Sequence, residues 1–382
     1  MLRAAQRFFS RTDWVLLALC MAASIFGVIM ISSAKNTNGA SDYVRTQTVA
    51  LVLGMILYVV ISFVDMEILA EHNTIMVIFG VLFIALLIPF GVAGDSGNRS
   101  WLPIPGLPFM VQPAEYCKIV YIISVAWLTS IYQERINSLR CVARVGLVSA
   151  LFIGLILVAS RDAGVALIYV FVLIVMTLSA GFSFLWFLVG GVALVVLVPI
   201  IWNSSLIAEY QKSRIMVIFD SSIDPLSQNV RYQSTHSLNA ITGGGLAGPG
   251  LFQGPMTQAA DIPAQHTDFI FAVIGEELGF LGCLLCILLL TAIVLRIIRI
   301  GLQSQSFFHR QICVGIAGML LFQIVTNVGM CLGLTPVIGL TLPFFSYGGS
   351  SILSLFIAMG VISSIRLHPS PDNQQRYIQL PT

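Results

Sequence analysis

HTDFIFAVIGEELGFLGCLLCILLLTAIVLRIIR, residues 266–299, opens on His266 and Asp268, carries Glu276 and Glu277 shortly after, and then runs apolar to Arg296. Such a run reads as a membrane-spanning helix, because about 20 residues rising about 1.5 Å each cross the hydrocarbon of a bilayer. A carboxylate at that depth costs on the order of 3 kcal/mol, so ionisable groups gathered at the head of the helix point to a functional site.

The rest of the chain shares this character. Of 382 residues, 57% are hydrophobic and 9% charged, with a mean hydropathy of +0.94, whereas a soluble domain carries about 25% charged residues. The fold class is therefore an all-α polytopic membrane protein, read as a single unit over residues 1–382. Apolar runs at 14–32, 46–64, 74–91, 114–131, 145–160, 164–181, 184–202, 269–298, 311–333 and 347–366 predict about ten transmembrane helices. The division of 145–181 rests on SRDAG at 160–164; without a break there the count falls to nine. The first run follows Arg3, Arg7 and Arg11 and reads as a retained helix, not a cleaved signal peptide. With the N-terminus inside, the arginine clusters at 3–11, 135–144, 296–310 and 366–376 all fall on the cytoplasmic side, which places both termini there.

A net charge of +2 without a basic stripe argues against a nucleic-acid partner. The seven cysteines lie in or beside apolar runs, so no disulfide framework is implied, and Cys283 and Cys286 read as small helix residues despite their CxxC spacing.

Between the seventh and eighth helices lies a long extracellular loop, 203–268, polar and rich in Gly and Pro. A loop of that length in a compact protein is expected to be functional. It holds Arg214, Arg231, His236, His266 and Asp268. Its TGGGLAGPG stretch lacks the preceding strand of a phosphate-binding loop. In the second external loop, GDSGNRSWLPIPGLPFMVQPAEYCK (94–118), Pro113 suits a first helical turn, and Glu115 and Lys118 share one helix face. That pair either neutralises itself at a helix end or lines a polar cavity. Asp162 either caps the following helix or belongs to the same cavity. Asp268, the last polar residue before FIFAV, is either a helix cap or a general acid or base where water meets lipid. The histidines are too few for a common zinc site, whereas carboxylates with substrate phosphates could hold Mg²⁺.

Taken together, HTDFIFAVIGEELGF, the QPAEYCK element, RYQSTHSLNAITGGGLAGPGL (231–251) and GLTPVIGLTLPFFSYGGSSILS (333–354) resemble the SEDS family, which includes RodA, FtsW and SpoVE, over about residues 12–366. The resemblance implies a ten-helix peptidoglycan glycosyltransferase of the bacterial cytoplasmic membrane. Such an enzyme polymerises lipid II at the outer face, for elongation, division or sporulation, beside a class B penicillin-binding protein. It also implies that Asp268 is the catalytic residue and that Glu115 and Lys118 correspond to the family's QPSExxK pattern, with Ala114 where Ser is usual. Arg99, Lys118, Arg214 and Arg231 are then candidates to meet the departing pyrophosphate, together with a divalent cation, Mg²⁺ or Mn²⁺, and no organic cofactor. Asp162, His266, Glu276 and Glu277 are expected to border the substrate. SRDAG, His236 and Arg231 depart from the family pattern. The competing readings are a lipid II flippase and a membrane scaffold for the penicillin-binding protein.

Overall fold

A chain in lipid must satisfy each backbone N–H and C=O within its own segment, so long apolar runs become helices. The computed structural model describes residues 12–35, 40–93, 98–107, 109–203, 212–213, 216, 224 and 231–368. Among these, nine helices are long and apolar enough to cross a membrane. In chain order the principal helices are α1 (Trp14–Ala34), α2 (Ala40–Ser62), short α3 (Met66–Glu71), α4 (Asn73–Ala85), α5 (Leu87–Phe90), α6 (Pro113–Ile131), α7 (Leu139–Leu155), α8 (Ala163–Ala180), α9 (Phe184–Trp202), α10 (Tyr232–Gly243), α11 (Pro255–Ala259), α12 (Ile270–Gln303), α13 (Phe307–Cys331) and α14 (Gly349–Leu367). The nine are α1, α2, α4 with α5, α6, α7, α8, α12, α13 and α14. Helix α9 has 19 residues and fills the place of the tenth, with Phe184–Ala193 as its described apolar stretch.

Local chemistry sets the breaks. Proline at 89 has no N–H to offer the carbonyl four residues earlier, and α4 stops at that residue, Ala85. The SRDAG stretch separates two helices: α7 widens into a π-turn at Ile156–Ser160, and Arg161 takes a left-handed φ of 55°. Asp162 then caps α8 by accepting from the Val165 amide at 3.0 Å. Residues 98–107 belong to a small hairpin-like element, with antiparallel bridges between Val92 and Trp101 and between Leu102 and Val111.

Helices α6 and α14 are the most enclosed spans and α4 with α5 the least. The last helix packs most extensively along α2. One end of the bundle is tied by Asp13, whose fully buried carboxylate accepts from Arg296 and Arg366, both at 2.8 Å. Burial pushes the Asp13 carboxyl up, but hydrogen bonds from Arg296 and the Leu16 amide and the charges of both arginines overcome it and hold it below the usual range.

Helix α12 is interrupted. Gly279 has φ 63° and ψ −159°, a conformation that a side chain resists. Residues 244–250 fill the gap: the carbonyls of Gly245 and Leu246 accept from Phe280 and Leu281 at 2.9 and 3.1 Å, and the Gly250 amide donates to the Glu277 carbonyl at 3.0 Å. The glycines of this stretch thus permit backbone-to-backbone packing. A Cβ on Gly248 would lie 2.1 Å from the Glu277 carbonyl oxygen, at a φ of +70°.

Gly248→Ala is therefore expected to cost about 2–4 kcal/mol, from overlap and strain together. Gly154→Ala, on a helix face with nothing within 4 Å of the new methyl, should change stability by no more than about 0.5 kcal/mol. Thermal unfolding of the detergent-solubilised protein checks the contrast.

Candidate active site

Asp268 sits one residue ahead of the Phe269 cap of α12, at the end of the bundle remote from Asp13, and is half-buried. Its main chain is held from two sides. Asn327 of α13 donates to the Asp268 carbonyl at 2.8 Å and to the Leu340 carbonyl at 2.6 Å. On the other side Ser346 donates to the Thr267 carbonyl and accepts from the Leu342 amide at 2.8 Å. The Tyr347 amide donates to the His266 carbonyl at 2.8 Å. Gln47 of α2 fixes the same turn, donating to the Ser346 carbonyl at 3.1 Å and accepting from the Gly348 amide at 3.0 Å. The SYGG turn is thus a platform under the HTD segment. The loop above it borders the carboxylate: a Cβ at Gly339 would stand 3.5 Å from Asp268 Oδ2.

His266 joins an aromatic group at the rim, its ring 5.1 Å from that of Tyr43 and 5.7 Å from that of Tyr347. Lys35 lies over the Tyr43 ring at 4.7 Å.

A second polar group forms at the heads of α6 and α8. Lys118 Nζ donates to Glu115 Oε1 at 2.7 Å, and both side chains are buried. Ser354 of α14 donates to the other Glu115 oxygen at 3.0 Å. Asp162 accepts from Ser100 of the hairpin at 3.3 Å and lies within electrostatic reach of Glu115 and Lys118. Burial raises the Asp162 carboxyl, against the lowering effect of its bonds to Val165 and Ser100. Arg99, next to Ser100, is exposed. The two groups meet through residues 333–348: Gly164, at the head of α8, would place a Cβ 2.7 Å from the Ile338 carbonyl, next to Gly339.

The remaining expectations divide. Arg231 is half-buried at the start of α10, where its amide donates to Asp224 at 2.9 Å. Arg214 lies outside the described residues. Glu276 and Glu277, expected to border the substrate, turn inward. Glu276 accepts from the amides of Met256 and Thr257 at 2.7 and 2.8 Å and from the Thr257 hydroxyl. Glu277 is wholly buried and accepts from Ser33 at 2.6 Å and Gln258 at 3.0 Å. The physical reason is the interruption at Gly279, which folds the loop over these carboxylates so that Met256, Thr257 and Gln258 join Ser33 of α1 as their donors. Likewise, Lys118 is committed to Glu115 and does not project as a free cation. No cluster of three or more His, Cys, Asp or Glu side chains suited to a metal occurs among the described residues. Carboxylates outside such a cluster fit a divalent cation only as single ligands, and one carboxylate completed by phosphate oxygens is a donor set that Mg²⁺ accepts.

Sequence reasoning missed Asn327, Ser346, Gln47, Ser100 and Ser354. The available signal was a neutral polar residue inside an apolar run, as in FQIVTNVGM (322–330), because such groups hydrogen-bond across helices.

The profile of the FtsW/RodA/SpoVE family, described as cell cycle protein, matches residues 13–370. A probable peptidoglycan glycosyltransferase FtsW from Trichlorobacter lovleyi is 31% identical over 361 residues, 92% of either chain. Peptidoglycan glycosyltransferase MrdB from Escherichia coli is 30% identical over 367 residues, 93% of this chain and 94% of that protein. Among solved structures, a chain from work on the coordination of polymerization and crosslinking by a peptidoglycan synthase complex is 30% identical. It superposes with a TM-score of 0.78 over 93% of this chain and 97% of its own.

Two outcomes follow from the buried charges. Glu276→Ala strands three donors and is expected to cost about 3 kcal/mol or more, seen as a lowered unfolding temperature before any assay of activity. Glu115→Gln leaves Lys118 buried without its counter-charge and should cost about 3–5 kcal/mol, whereas Glu115→Gln with Lys118→Met should recover part of that loss.

Proposed function

The chain belongs to the FtsW/RodA/SpoVE family and is a multi-pass membrane peptidoglycan glycosyltransferase, and from that premise we propose that it polymerises lipid II with Asp268 as its general base. The donor sugar leaves with a lipid pyrophosphate, so the reaction needs a base for the incoming hydroxyl and positive charge for the phosphates. Asp268 takes the proton of the acceptor's 4-hydroxyl as that oxygen attacks the donor's anomeric carbon. The bond to pyrophosphate breaks on the opposite face, and the configuration inverts. The observation that carries this reading is the carboxylate itself: half-buried, at the end of the bundle, on a main chain pinned by Asn327 and Ser346, and bordered by a glycine.

The exposed Arg99 and half-buried Arg231 are assigned to the phosphates, and Arg214 is given the same task. Glu115, Lys118 and Asp162 set the field beneath them, and His266 borders the sugar. A divalent ion, Mg²⁺ or Mn²⁺, held by a single carboxylate and the substrate's phosphates, would neutralise charge on the leaving group. Arginines gathered at the Asp13 end support a cytoplasmic location for that end and for both termini, with Asp268 towards the outer face of the bacterial cytoplasmic membrane. Crosslinking of the product falls to a class B penicillin-binding protein bound beside it.

Purified protein in liposomes, supplied with lipid II and candidate class B partners, is expected to make long glycan strands. Asp268→Asn should lower the rate by about 10²–10⁴-fold with the protein still folded. Chelation should slow wild type, and added Mg²⁺ or Mn²⁺ should restore it. Equal polymer from Asp268→Asn would remove the base assignment and leave Asp268 a helix cap; no polymer from wild type with any partner would favour the flippase reading.

A further inference from the structure

We propose that Asn327 is the positioning residue of the reaction: it sets the distance between the Asp268 main chain and the loop that borders the Asp268 carboxylate. The assignment rests on Asp268 being the base.

Asn327 lies in the last turns of α13 and is wholly buried. A primary amide in an apolar span is costly unless its hydrogens are used, and a branched apolar residue would pack there at no such cost. Both carbonyls it reaches belong to the site. One is that of Asp268, at 2.8 Å; the other is that of Leu340, at 2.6 Å. Leu340 follows Gly339, the residue whose Cβ would stand 3.5 Å from Asp268 Oδ2. One side chain therefore bridges the base and the wall in front of it, two segments 72 residues apart in sequence (268 and 340). Cys331, one turn further along α13, approaches the same Asp268 carbonyl through Sγ at 3.9 Å, so the contact is part of a packed face and not a chance approach.

Ser346 holds the neighbouring segment independently, through Thr267 and Leu342. Between them the two side chains tie both flanks of the HTD segment to the 333–348 loop. Loss of the Asn327 bridge leaves the carboxylate chemically intact but free to shift. Shifts of about 1 Å at a reacting group cost about 100-fold in rate. The loss belongs in kcat, because substrate binding draws on cations and rim residues that Asn327 does not touch.

The test compares wild type, Asn327→Leu, Asn327→Ser, Ser346→Ala and Asp268→Asn, each full length in liposomes with the same class B partner, reading kcat and KM for lipid II and the unfolding temperature. Asn327→Leu keeps the branched skeleton and removes the donors; it is expected to lower kcat by about 30–100-fold with KM within about threefold of wild type. Asn327→Ser, which keeps one donor, should fall between the two, and Ser346→Ala should show the same kcat-only loss in smaller degree. If Asn327→Leu does not fold, the kcat-to-KM pattern of Asn327→Ser and Ser346→Ala decides. A wild-type kcat in Asn327→Leu, or a loss confined to KM, while Asp268→Asn is inactive, overturns the positioning role alone. Activity in Asp268→Asn overturns the base assignment, and the positioning role with it.

Discussion

A helix interrupted inside an apolar bundle leaves amides and carbonyls that lipid cannot satisfy, and something in the chain must meet them. Here residues 244–250 do so at Gly279, and much of the Asp268 end of the molecule follows from that one exchange of hydrogen bonds. Because the loop is anchored in the gap, α11 lies against Glu276 and Gln258 against Glu277. Gln265, which reaches the Ala34 carbonyl of α1, closes the same knot. The segment that leaves it is HTD, so Asp268 is delivered to its place by a chain of satisfied polar groups rather than by a free loop.

The treatment of charge follows the same constraint. Buried ions are tolerable when their partners are close and their remaining lone pairs are met. Glu115 has Lys118 and Ser354; Asp13 has Arg296 and Arg366; Glu276 has three donors. These groups hold helices together at the two ends of the bundle. Asp268 is half-buried, with its main chain clamped and a Cβ at Gly339 reaching within 3.5 Å of its carboxylate.

Much of the fold was legible because hydrophobicity is additive along a segment. Runs of apolar residues report a spanning helix whatever they pack against, and SRDAG reports a break because Asp162 caps a helix locally. The candidate site was legible in part, where several ionisable residues stood at helix heads. The surroundings of Glu276 and Glu277 were not legible, because a carboxylate at an apolar helix looks the same whether it meets substrate or a loop; their donors, Thr257, Gln258 and Ser33, are remote or unremarkable in sequence. Asn327 was overlooked for the converse reason, since a single neutral amide carries no charge signal.

The sequence by itself determined that this is a helical membrane protein, where most of its spans lie, and that Asp268 stands at a boundary between polar and apolar chain. Each of these depends on residues near one another in the chain. The tertiary structure alone decided which ionisable groups are spent on one another, where the break in α12 falls and what fills it, and how Asp268 is held. Those outcomes depend on hydrogen bonds between residues far apart in sequence, whose energies exist only once the helices have packed and water has been excluded.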